Sequence, residues 1–178
     1  MSKGTQAMST SLFQHAGGSV ELPAKVLCDR MDGGHLIVNP PRPVWERSAM
    51  TVGEQLAWST LVTATGAAML ETLPVLRGGC LNFWEAGNWA LNDKAPPAGP
   101  KQPQRDRRVH QHIFGRSPRA RHADWAWGES PRFPAYADSD AWSAQFAPLA
   151  SHECEAIARR IDVLLRTRFA FPLAGVLW

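Results

Sequence analysis

Apolar positions along the chain repeat with two periods, and the switches between them mark the predicted elements. Residues 20–28 (VELPAKVLC) and 35–39 (HLIVN) run apolar over strand lengths. The DRMDGG between them supplies turn residues, with Gly33 and Gly34 free to take positive φ, and predicts a hairpin. Pro40, Pro41 and Pro43 forbid helix and central strand, so the chain leaves the sheet there. Thr51 and Glu54 form a capping box that opens a long helix, and Pro74 ends it after about Leu73. Val52, Leu56, Ser59, Thr63, Ala67 and Leu70 make a stripe of small and medium residues along it, suited to packing on a sheet. Residues 78–84 (GGCLNFW) read as a strand followed by a turn at 85–88, and residues 107–116 (RRVHQHIFGR) as another strand that Gly115 breaks. Ser151 caps a last helix whose buried stripe is Cys154, Ile157, Ile161, Leu164 and Leu165. This order predicts an α+β fold: a mainly antiparallel sheet, one long central helix and a C-terminal helix.

Composition bounds this picture. A chain of 178 residues, 44% apolar and 20% charged, suits one globular domain, assigned to residues 19–178. Residues 1–18 lack the apolar core of a signal peptide and read as a flexible tail. No apolar run approaches the ~20 residues of a membrane span. Cys28, Cys80 and Cys154 are odd in number and widely spaced, which points to reduced core thiols and a cytoplasmic protein. Residues 92–107 carry four prolines and no periodicity, predicting an exposed basic loop inserted before the 107–116 strand. The net charge is only +3, but Lys94, Lys101, Arg105, Arg107, Arg108, Arg116, Arg119 and Arg121 cluster, and a field of that sign favours phosphate ligands. Residues 117–178 form a C-terminal extension. Its 119–148 portion, holding Trp125, Trp127, Phe133, Tyr136, Trp142 and Phe146, reads as packed loop around the body.

The chemistry concentrates at His110 and His112. On a strand, alternate side chains share a face, so both imidazoles point one way and Gln111 the other. Two imidazoles so placed can flank a small anion or ligate a metal. A zinc or iron site wants a third protein ligand, and the next acid is Asp124, beyond an arginine-rich stretch, so neither metal nor cofactor is expected. Arg116 adds fixed positive charge.

Residues 34–47 (GHLIVNPPRPVWER), then a long helix, a strand, Glu85-Ala86-Gly87 and residues 108–116 (RVHQHIFGR) follow one another in an order that resembles the histidine-triad (HIT) family, closest to its dinucleoside polyphosphate hydrolases. The resemblance covers roughly residues 26–116 and implies a HIT-like fold and a homodimer joined edge to edge. It implies a hydrolase or nucleotidyl transferase that cleaves a phosphoanhydride or phosphoramidate at the α-phosphate. A covalent nucleotidyl-histidine forms on the way, and the ligand is an AMP-like nucleotide. His110 falls at the family's nucleophile and His112 at its third histidine. Arg108 stands in place of the first histidine, and Gln111 replaces the hydrophobic residue between the other two. Asp29, Asn82, Asn88, Arg108, Gln111 and Arg116 are the candidate substrate-binding residues. Asp29 would accept from ribose hydroxyls, while Asn88 and Arg108 would hold phosphate oxygens. His35 also matches the family, but reads as structural. The other reading is a non-catalytic binder of nucleotides or nucleic-acid ends, with Arg108 supplying charge and Trp84, Trp89 and Trp125 stacking on bases.

Overall fold

The computed structural model describes residues 9–170. Five strands form one antiparallel sheet: β1 (Thr10–His15), β2 (Gly18–Leu22), β3 (His35–Asn39), β4 (Cys80–Ala86) and β5 (His110–Arg116), in the order β1-β2-β3-β5-β4. Its helices are α1 (Val52–Thr72), the single turn α2 (Pro103–Asp106), the short α3 (Ser139–Ser143) and α4 (Ser151–Arg166). The α+β class follows directly.

Two sequence expectations near the N-terminus change. Residues 10–15 are not tail but strand, paired with β2 through a tight hairpin; residues 1–8 lie outside the described residues. The strand expected over 20–28 stops at Leu22, because Pro23 offers no N–H to continue the ladder. Residues 23–34 instead cross above the sheet, and β2 still pairs with β3. The crossing ends in a turn held by Asp29. Its carbonyl accepts from Asp32, Gly33 and Gly34 N–H, and its carboxylate accepts from Met31 N at 2.8 Å and Ala147 N at 2.7 Å.

The sheet has two different faces. On one, Val20, Leu36, Val38 and Ile113 pack against α1 and α4 to make the main core. The capping box of α1 forms as expected, but its buried face is Trp58, Leu61, Ala64, Thr65, Ala68 and Met69. Most of the expected stripe is turned outward: Val52, Leu56 and Leu70 are exposed, and only Ala67 packs partly against the core. In α4 Ile157, Ile161 and Leu164 are buried, while Cys154 and Leu165 are half-buried. The cap of α4 is Ala150, whose N–H donates to Glu153, so Ser151 is already helical. All three cysteines are free, yet Cys80 is exposed on β4 rather than in the core.

The other face is aromatic. Residues 117–148 fold over it and build a second core of Val26, Leu27, Cys28, Phe114, Trp125 and Phe146. Gly115 does not break β5. A Cβ there would collide with the Gly33 backbone, so the glycine pair lets the 29–34 turn lie directly on the strand.

Candidate active site

His110 and His112 emerge on the aromatic face from β5, as the period of two requires. Their rings stand 4.7 Å apart between centroids. The β3–β5 register sets Ile37 opposite His112, and the β4–β5 register sets Trp84 opposite His112 and Ala86 opposite His110. Trp84 stacks on His112 at 5.3 Å, and Phe133 from the C-terminal segment stacks on Trp84 at 4.6 Å. The imidazoles open into a cleft of about 1500 Å³. Trp84, Asn88, Trp89, Arg108 and Tyr136 line it, together with Lys25 and Lys94.

Hydrogen bonds assign the protons. His110 Nδ1 lies 2.9 Å from the Arg108 carbonyl. A carbonyl only accepts, so Nδ1 carries the hydrogen and Nε2 keeps its lone pair. Gly87 makes room for that carbonyl, since a Cβ on Gly87 would stand 2.8 Å from the Arg108 oxygen.

His112 is set from the other direction. Leu27 N–H donates to His35 Nδ1 at 3.2 Å, and His35 Nε2 lies 2.7 Å from His112 Nδ1. An amide N–H only donates, so the neutral His35 carries its proton on Nε2 and gives that bond to His112 Nδ1. His112 is left with its N–H on Nε2. The pair therefore presents opposite functions: a lone pair on His110 and an N–H on His112.

Burial keeps all three imidazoles neutral. It pushes the His35 pKa down to about 3, helped by His110. His112 is held well below the usual histidine value by burial and by its two histidine neighbours. His110 is also lowered by burial, and Arg107 adds to this. The Arg108 carbonyl, Glu21 and Glu85 partly offset the drop.

The remaining expected site residues divide. Asn88 and Arg108 line the cleft. Asp29 does not: both carboxylate oxygens are engaged by backbone N–H groups in the turn and at Ala147. Gln111 is buried on the opposite face, within 3.5 Å of Arg47. Asn82 and Arg116 share the histidine face but bond each other at 2.7 Å. Arg116 is 5% exposed and gives its other bonds to the Ala126 and Glu129 carbonyls, so it fastens the C-terminal segment. His35, expected to be structural, touches the site directly. Only the β3–β5 register reveals this, since 77 residues separate it from His112. Trp84, expected only as a surface for bases, stacks on His112 itself, and it is the β4–β5 register that brings the two together.

Among the described residues no group of three His, Cys, Asp or Glu side chains is placed to hold a metal ion, and no helix is long and apolar enough to cross a membrane. Comparison with protein-family models and with curated proteins returns no match.

Proposed function

We propose that the cleft is the active site of a HIT-type hydrolase or nucleotidyl transferase that opens a phosphoanhydride at the α-phosphate of a nucleotide. The carrying observation is the pair of hydrogen-bond contacts, His110 to the Arg108 carbonyl and His112 through His35 to Leu27 N–H, from which opposed protonation of the two imidazoles at one cleft follows. Nucleophilic displacement at phosphorus needs an unprotonated, aimed nucleophile and donors around the phosphoryl oxygens. His110 Nε2 attacks phosphorus, a P–N bond forms, and the bond to the leaving group breaks with the electron pair leaving on oxygen. His112 Nε2–H donates to a phosphoryl oxygen, with Arg108 and Asn88 beside it. Water then hydrolyses the nucleotidyl-histidine and restores His110. Trp84, Trp89 and Tyr136 give the base aromatic surface.

His112 supplies a hydrogen bond rather than a proton. An imidazolium at His112 would turn its Nδ1 into a donor facing His35, whose Nδ1 is already committed to Leu27 N–H. A leaving phosphate needs no proton, whereas a leaving amine does. The site therefore favours phosphoanhydrides over alkyl phosphoramidates.

Incubating the protein with dinucleoside polyphosphates and following release of mononucleotide tests the reading. His110→Ala should lower turnover by a factor on the order of 10³ or more, with nucleotide binding retained by calorimetry. The alternative, a binder of nucleotides or nucleic-acid ends, draws on the same cationic lining and on Trp84 and Trp89, but not on Trp125, which is fully buried in the second core and offers no face to a base. Binding by the wild type with no turnover on any nucleotide would select it.

A further inference from the structure

The hydrogen bonds that set His112 begin in the C-terminal segment, outside the part of the chain that carries the family resemblance. Trp125 Nε1–H donates to the Leu27 carbonyl at 3.0 Å, and Trp142 Nε1–H donates to the same oxygen at 3.3 Å. Leu27 N–H then donates to His35, and His35 to His112. Leu27 belongs to the irregular 23–34 crossing, so no sheet ladder fixes its backbone. The two indoles do. Trp125 is fully buried and braced by Phe114 and Phe133, while Trp142 packs on Phe146 and His122.

We propose that Trp125 and Trp142 are positioning residues that, by clamping Leu27, hold His112 in the tautomer that presents N–H to the cleft. The Leu27 carbonyl and N–H lie in adjacent peptide groups, so the indoles act mechanically: anchoring the carbonyl fixes the Leu27 backbone and with it the direction of its N–H. Without the indole bonds the Leu27 carbonyl loses its donors, and its N–H is held less firmly toward His35 Nδ1. His35 can then adopt either tautomer, and so can His112. With the proton on Nδ1, His112 would turn a lone pair toward the phosphate oxygens. The tautomer claim stands on hydrogen bonding alone; its effect on turnover rests on the hydrolase reading above.

The test is long-range ¹H–¹⁵N spectroscopy of the full chain labelled at histidine nitrogens, at neutral pH. Resonances are assigned with His112→Gln and His35→Phe. Wild type should show His110 protonated on Nδ1, and His35 and His112 on Nε2. In the Trp125→Phe/Trp142→Phe variant, which keeps both aromatic packings but neither donor, His112 should move to a mixed or Nδ1-protonated state while His110 stays unchanged. Trp142→Phe alone should give a smaller shift in the same direction, and serves if the double variant does not fold. The double variant should also lose on the order of 10- to 100-fold in kcat/KM for a phosphoanhydride. A His112 tautomer unmoved by loss of the indoles would overturn the proposal, as would a wild-type His112 protonated on Nδ1. A shifted tautomer in a protein without hydrolytic activity would uphold the clamp and reject the hydrolase reading instead.

Discussion

His35 links stability to catalysis at the scale of one side chain. Its folded pKa, about 3, lies far below the ordinary 6.5. Below pH 6.5 the unfolded chain takes up a proton that the folded chain refuses. The stability attached to neutral His35 is therefore complete above 6.5 and drains away as pH falls from there toward 3. Within that window one such group contributes a slope of about 1.4 kcal/mol per pH unit. His35→Phe should flatten the dependence by about that much in urea-unfolding free energies measured between pH ~4 and ~6. An unchanged slope would mean that His35 is hydrated and charged in the folded state. His110 gives the matching kinetic expectation. Because burial lowers its pKa, the acidic limb of kcat/KM should have its midpoint below 6.5, and a midpoint above that value would exclude a buried neutral nucleophile.

Elements whose sequence fixed their own boundaries were legible, and those decided by tertiary partners were not. The α1 capping box is local: Thr51 and Glu54 satisfy each other within one turn. The shared face of His110 and His112 follows from the period of a strand alone. The buried side of α1 does not, because its outward stripe is as apolar as its inward one until the sheet selects Trp58 and Leu61. β1 carries too few apolar residues to be seen without its partner β2. Asp29, Gln111 and Arg116 are polar residues at the right sequence positions that the fold turns to other partners: backbone N–H groups for Asp29, Arg47 on the opposite face for Gln111, and the Ala126 and Glu129 carbonyls for Arg116. Arg116 shows what that use is worth. Arg116→Met would leave the Ala126 and Glu129 carbonyls without their donor and should cost about 2–4 kcal/mol. Limited proteolysis should then cut within residues 117–148 first. Equal loss of protection across the whole chain would show that Arg116 supports the sheet rather than the segment. The 92–107 loop, which brings Lys94 and Pro96 to the cleft, belongs to the same scale. A Gly-Ser replacement should raise KM for polyphosphates and flatten its salt dependence with little change in kcat. A fall in kcat with KM unchanged would instead make the loop a support for β5.

At the scale of the molecule one surface is out of keeping with the rest. Among the described residues nothing pairs with the outer side of β4, so the sheet ends in open N–H and C=O groups. Phe83 on that strand is 50% exposed and lies against α1 near Gly66. Beside it runs the outward stripe of α1, with Val52, Leu56 and Leu70 exposed and the small, exposed Ser59 and Thr63 between them. An apolar helix face beside an open strand edge can meet its own copy across a two-fold axis. Two copies could pair β4 with β4 and pack α1 on α1, and the small residues would let the helices approach closely. The histidine cleft opens on the other sheet face, so this pairing would leave both clefts accessible. We therefore expect a homodimer by light scattering at micromolar concentration. Phe83→Glu should convert it to a monomer, since the strand edge would then bury like charges against each other, while far-UV circular dichroism stays unchanged. A wild type that remains monomeric at those concentrations would rule this pairing out and leave the β4 edge exposed.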